Sequence, residues 1–249
     1  MSAVILALVS GAVIGLALGA LGGGGSVLAV PALIYLLGFT PVAATTASLV
    51  IVAVTSATAL SAHARDGNVR WRTGLLFAAA GIGPAVLGGA LAGRLPEAVL
   101  TAAFAVIAAA AAVRMLRPRP SPEGATGARP GRAAAAGAGL GAVTGVLGVG
   151  GGFLAVPALV NVLGMRMRAA VGTSLLVITV NSLAALAMRA GTADGLDWAV
   201  IAPFTGAAIL GAWDGRRLSA KLSGHALQRV FALVLLAVAG FMLVDAMVR

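Results

Sequence analysis

The chain has 249 residues, 60% hydrophobic and 10% charged, with a formal net charge of +10 and a mean hydropathy of +1.06. Soluble domains carry about a quarter charged residues, so a water-soluble fold of this size could not cover its surface, and the composition points to an all-α, polytopic helical membrane protein. The basic residues stand in short clusters between apolar runs with a single Tyr in the chain, which argues against nucleic acid, and the absence of Cys excludes disulfides, thiolate metal sites and cysteine nucleophiles.

The first apolar segment, 3–20, ends in "ALGA", which looks like a small-residue cleavage site. It has no basic leader, and a near copy of it stands in mid-chain, so it reads as a membrane helix and not a signal peptide. Gly11, Gly15 and Gly19 recur every fourth residue and flatten one face for close backbone approach. After "GGGG" at 22–25 comes 26–38, too short for an easy crossing of ~30 Å of hydrocarbon. Segments 42–62, 73–93 and 97–116 come next. The stretch 117–132, "RPRPSPEGATGARPGR", has no apolar period and reads as a solvated, cytoplasmic linker. Beyond it lie 134–147 and 152–164, both short, then 169–188, 198–214 and 225–247. The organisation is a first transmembrane repeat over 1–116, the linker, and a second repeat over 133–249.

The two repeats are copies. "GGGGSVLAVPAL" at 22–33 returns as "GVGGGFLAVPAL" at 148–159, so that Pro31 matches Pro157 at an offset of 126. At that offset Gly11, Gly15 and Gly19 match Gly137, Gly141 and Gly145, Gly38 matches Gly164, Ser48 matches Ser174 and Ser56 matches Ser182. Low apolar complexity produces Ala and Leu coincidences, not this many Gly, Pro and Ser matches on one ungapped offset. Five segments per half is an odd number, so if all cross, the second half enters the membrane upside down. The charges agree. "GFTPVA" after the second segment is uncharged, while its copy "GMRMRA" carries Arg166 and Arg168; Arg65, Arg70 and Arg72 outnumber Asp66, while in the copy Arg189 faces Asp194 and Asp197. Basic excess alternates between corresponding loops, which the positive-inside rule turns into opposite orientations, with both termini outside. Two parallel four-span halves with re-entrant short segments stay open as the alternative.

Glycine runs disfavour helix by about 1 kcal/mol per residue against Ala, and backbone amides freed there cannot face lipid. They pack tightly in a turn, or they line a site. Short helices that begin near mid-membrane offer free N–H groups and a positive end to an anion, and an inverted repeat brings two such starts together. Candidate substrate-binding residues are therefore Gly22, Gly23, Gly24, Gly25 and Ser26 in the first copy and Gly150, Gly151 and Gly152 in the second. Hydroxyls from "TTASL" and "VGTSL" (Thr46, Ser48, Thr173, Ser174) and the amide of Asn181 join them. No Asp or Glu lies deep in any segment, so a carboxylate proton relay has no support. His63, at the end of the third segment, reads as interfacial. Two separated His residues make no metal site, and Ser26 has no base beside it, so neither a cofactor nor an enzymatic reaction is expected.

The doubled phrase "GGGGSVLAVPALIYLLGFTPVAATTASL" and "GVGGGFLAVPALVNVLGMRMRAAVGTSL", with the basic linker and "FTGAAILGAWDGRRLS" at 204–219, resembles the TauE/SafE family of sulfite-exporter-like membrane proteins over nearly the whole chain. The resemblance implies a multi-pass inner-membrane transporter, an exporter of small sulfur-containing anions such as sulfite, sulfoacetate or related sulfonates. The alternatives are a carrier or channel for another small solute or ion, or an assembly factor that transports nothing. Ser26 becomes Gly152 and Gly23 becomes Val149 in the second copy, so the two half-sites are not equivalent. The lipid bilayer is the other expected partner; the sequence sets no oligomeric state.

Overall fold

The computed structural model describes residues 2–92, 96–117, 130–147, 152–188 and 197–248, and among them every regular element is helical. The order is α1 (Ser2–Leu21), a 3-10 turn (Gly22–Gly25), α2 (Ser26–Pro31), a π turn (Ala32–Leu36), α3 (Pro41–Arg65), α4 (Trp71–Ala92) and α5 (Glu97–Leu116). Then come α6 (Pro130–Leu147), α7 (Gly152–Asn161), α8 (Met167–Met188), α9 (Trp198–Lys221) and α10 (Gly224–Val248). Among the described residues, Ala3–Leu21, Val42–Arg65, Met167–Met188 and Gly224–Phe241 are long and apolar enough to cross a membrane. Helices α4 and α9 have the length but are diluted by Gly, Pro and charged residues.

Helix α1 is apolar on every side. Ile5, Val9 and Val13 share one face and are 57%, 58% and 58% exposed, as suits a lipid-facing stripe. The opposite face carries the glycines. A methyl group on Gly11, Gly15 or Gly19 would overlap the backbone oxygens of Phe204, Ala208 and Ala212 respectively on α9. The registers rise together, so α1 and α9 run parallel. The copy repeats the device: Gly137, Gly141 and Gly145 of α6 lie against the backbone of Phe77, Gly81 and Ala85 on α4. Each half's first helix is thus seated on the other half's fourth.

The two third helices also meet. The Arg70 N–H donates to Thr173 Oγ1 at 3.1 Å beyond the end of α3, and Ser56 and Thr179 share a hydrogen bond of 2.9 Å further along. Numbers fall on α3 as they rise on α8, so these equivalent helices are antiparallel. Apolar clusters flank them, one around Phe77, Phe104, Leu159 and Phe231, the other around Leu18, Leu33, Ile51 and Phe204.

Boundaries differ from the sequence reading in five places, each for a local reason. Helix α6 starts at Pro130, inside the expected linker, because proline fits a first helical turn where no N–H is required; the segment read as a short 134–147 is an 18-residue helix. Helices α3 and α9 run past 62 and 214 to Arg65 and Lys221, where cations suit a helix C-terminus. The segment 26–38 changes from α to π winding after Pro31, which cannot donate to the preceding turn. Finally, the glycine run is itself helical. Gly22, the first residue of the 3-10 turn, breaks the winding after α1 with φ +67°.

Candidate functional site

The first glycine run enters the bundle against α8. The Gly23 N–H donates to Ser174 Oγ at 3.3 Å, and Ser174 Oγ donates in turn to Val171 O at 2.8 Å. Ser26 Oγ donates to Gly23 O at 2.7 Å. A predicted ligand amide, Gly23, is therefore held by a predicted ligand hydroxyl, Ser174, across the two halves. Ser174 lies seven residues past the start of α8 at Met167, about 10 Å along its axis.

The two copies of the phrase meet deeper. A Cβ on Gly152 would lie 2.8 Å from Ser26 Oγ and 2.8 Å from Ile178 Cγ1. Ser26 and Gly152 are equivalent at the repeat offset, and Ile178 stands about halfway along α8. Both start short helices, α2 and α7. Gly150 and Gly151 lie outside the described residues, as does Val149, the counterpart of Gly23.

The hydroxyls divide. Thr46 Oγ1 donates to Val42 O at 3.1 Å and Ser48 Oγ to Thr45 O at 2.8 Å, the back-bonding usual for such residues in apolar helices. Thr173 is spent on Arg70, fixing the turn between α3 and α4. Asn181 Oδ1 is buried without a partner, and so is Thr55 Oγ1. These two occupy equivalent positions on α8 and α3, 126 residues apart. Thr55 is a residue the candidate set lacks, although its pairing with Asn181 at that offset was visible in the repeat.

The basic clusters gather at one end of the bundle. There Arg216 Nη1 pairs with Asp66 Oδ2 at 2.9 Å, tying the end of α9 to the end of α3. Arg168 Nη2 donates to Ala220 O at 3.1 Å and Leu222 O at 3.0 Å, tying the start of α8 to the turn before α10. Gln228 Nε2 bonds Met115 O, bringing the end of α5 and the start of the linker to the same end. A cavity of about 330 Å³ opens among these groups, walled by His63, Asp66, Asn68, Arg168, Arg216 and Ser219. Val171 also lines it, and Val171 O would lie 3.1 Å from a Cβ on Gly22. His63 Nε2 bonds Gly19 O at 3.2 Å. The cavity's inner wall is thus the outer side of the Gly22–Ser174 contact. His63, read as interfacial, stands at this basic end and is 3% exposed. Among the described residues no group of His, Asp and Glu could hold a metal ion.

Membrane-length apolar helices with outward-facing Ile, Val and Leu, and short broken helices meeting inside them, make this a multi-pass helical membrane protein. The family model "Sulfite exporter TauE/SafE" matches residues 7–242, and the chain belongs to that family of membrane transporters. Two proteins named "Probable membrane transporter protein", from Xylella fastidiosa strain 9a5c and from strain Temecula1 / ATCC 700964, are each 37% identical to it over 243 residues, spanning 94% of this chain and 93% of theirs. No solved structure matches the chain.

Proposed function

We propose that the protein exports small sulfur-containing anions, such as sulfite, sulfoacetate or related sulfonates, across the inner cell membrane, with its basic end in the cytoplasm. The positive-inside rule supports that orientation, because the turns after α3 and α9, the start of α8 and the start of the linker carry their arginines to one end. The antiparallel run of α3 and α8 supports inverted repeats, and such repeats place their substrate site where broken helices meet.

The observation that carries the reading is the contact of Ser26 with Gly152 beside Ile178, halfway along α8. Amides of Gly24, Gly25 and Gly152 and the Asn181 side-chain amide would surround an anion there, with the Ser26 hydroxyl turning from Gly23 O to donate to it and no carboxylate to repel it. Gly22, Gly23 and Ser174 hold that wall in place, Thr46 and Ser48 bond their own helix, and Thr173 fixes the α3–α4 turn. An exporter working this way is a carrier, not an enzyme, and needs neither metal nor cofactor. Export of an anion runs downhill in an inside-negative potential by ~2.3 kcal/mol per charge per 100 mV. The test is flux of labelled sulfite in vesicles with an imposed potential. Faster efflux from the negative compartment is expected; flux indifferent to potential in both directions contradicts the reading.

A further inference from the structure

Gly19 joins three helices. Its bare face lies against α9, where a Cβ would overlap the Ala212 oxygen. Its carbonyl, in the last turn of α1, is bonded to His63 Nε2 of α3 at 3.2 Å. A carbonyl only accepts, so Nε2 carries the hydrogen and donates it. Nδ1 is buried without a partner, so among the described residues Gly19 O is the one group that the ring meets by a hydrogen bond.

In an unbroken α-helix Gly19 O would accept from the N–H four residues on, which is that of Gly23. Here α1 ends at Leu21, Gly22 turns to φ +67°, and the Gly23 N–H donates to Ser174 Oγ at 3.3 Å instead. The donor and the acceptor of one helical bond are therefore separated, and each has a side chain in place of the other. The acceptor has His63, from the first half; the donor has Ser174, from the second. Both bonds are buried, where a backbone group without a partner is costly. A His side chain near a helix C-terminus can satisfy a last carbonyl in this way. The broken end is seated closely, since a Cβ on Gly22 would lie 2.5 Å from Ser174 Oγ and 3.1 Å from Val171 O.

We infer that His63 is a positioning residue for the proposed anion site. By holding Gly19 O it keeps the bond from Gly23 open. Ser174 can then hold the Gly22–Gly25 turn against α8, and Ser26, which follows that turn, meets Gly152. His63 touches no substrate and acts through the backbone of α1. Without its N–H, Gly19 O is left with the Gly23 N–H as the donor in helical register, and closing that bond takes Gly23 from Ser174. The two side chains thus work as a unit, although they come from different halves and neither bonds the other. What the turn presents rests on the transport reading; the exchange of partners at Gly19 and Gly23 does not.

The test uses the full chain in phosphatidylcholine vesicles, with efflux of labelled sulfite as one readout and detergent unfolding as the other. His63→Leu and Ser174→Ala are each expected to slow efflux about fivefold, as the loss of one buried hydrogen bond does. The double variant is expected to lose about fivefold as well, and not the roughly 25-fold of independent sites. Unfolding should follow the same pattern, with the double variant no less stable than the worse single one. His63→Gln keeps an N–H donor of similar reach and is expected to recover most of the efflux. Losses that multiply in the double variant overturn the inference. So does a His63→Gln no better than His63→Leu, which would reduce the ring to packing.

A second measurement needs no change at His63. The other histidine of the chain, His225, is exposed, so His225→Gln leaves a single imidazole for 15N spectroscopy. At mildly alkaline pH the hydrogen is expected on Nε2, with its signal moving in Ser174→Ala as the Gly23 N–H returns to Gly19 O. A hydrogen on Nδ1, or a signal indifferent to Ser174→Ala, overturns the inference as well. Absence of sulfite efflux in the wild type counts against the transport reading instead, and the unfolding cycle and the imidazole signal then decide the role of His63.

Discussion

The α1–α9 and α4–α6 seams use one glycine stripe twice, yet they differ on the facing helix. Helix α9 answers α1 with bare positions of its own: a methyl on Gly211 or Gly215 would overlap the oxygen of Ala12 or Leu16. Helix α4 answers α6 less fully. Gly81 would place a Cβ 3.0 Å from Gly137 O, a tight contact but not an overlap, and Phe77 and Ala85 complete that side. Lipid tails are as apolar as Leu, so helices in a membrane gain little from burying apolar surface against each other, and close backbone packing takes over. The comparison teaches that neither half can close by itself, because each lends its first helix to the other, and that the α1–α9 seam is the less forgiving of the two.

The largest effect should come from breaking the seams outright. Gly15→Val and Gly141→Val drive a branched side chain into a carbonyl of the opposite helix and are each expected to cost about 3 kcal/mol or more, read as loss of folded protein in a detergent unfolding titration. The finer comparison is Gly211→Ala against Gly81→Ala, with the first expected to be the more damaging; equal losses would dissolve the distinction between the seams. Next in size is Ser174→Ala, which removes the acceptor of the Gly23 N–H. About 1 kcal/mol is expected, with transport falling more than stability does, since the hydroxyl positions the glycine run. The smallest effect has the opposite sign. Gly206, on α9 away from both seams, has nothing within 4 Å of its missing Cβ, so Gly206→Ala should stabilise by up to about 1 kcal/mol. Destabilisation there would mean that α9 has a neighbour on that side.

Much of this was legible in the residues. The glycine stripes announced close helix contacts, the shared offset announced two copies, and the clusters of arginine announced one basic end. The stripes could not name their partners, because a bare face says only that some backbone approaches it. The start of α6 was hidden because Pro130 reads as a breaker until it is seen at a first turn. The glycine runs read either as tight packing or as free amides; in the first run the packing of the 3-10 turn against α8 gives Gly23 an acceptor in Ser174, 151 residues away, and no local pattern carries that information. His63 stands at the basic end, as its place along the segment suggested; its burial, which the segment could not show, comes from Gly19 of another helix.

The central claim is that the two halves are oppositely oriented, with the basic end in the cytoplasm. The chain has no Cys, so each introduced thiol is unique. Arg70 and Asp197 are both exposed, the first just after the third helix of its half and the second just before the fourth helix of the other. Labelling of Arg70→Cys and Asp197→Cys with a membrane-impermeant maleimide, in intact cells and in inverted vesicles, measures the orientation directly. The account predicts that Arg70→Cys reacts only in inverted vesicles and Asp197→Cys only in intact cells; reaction of both from the same side would contradict it.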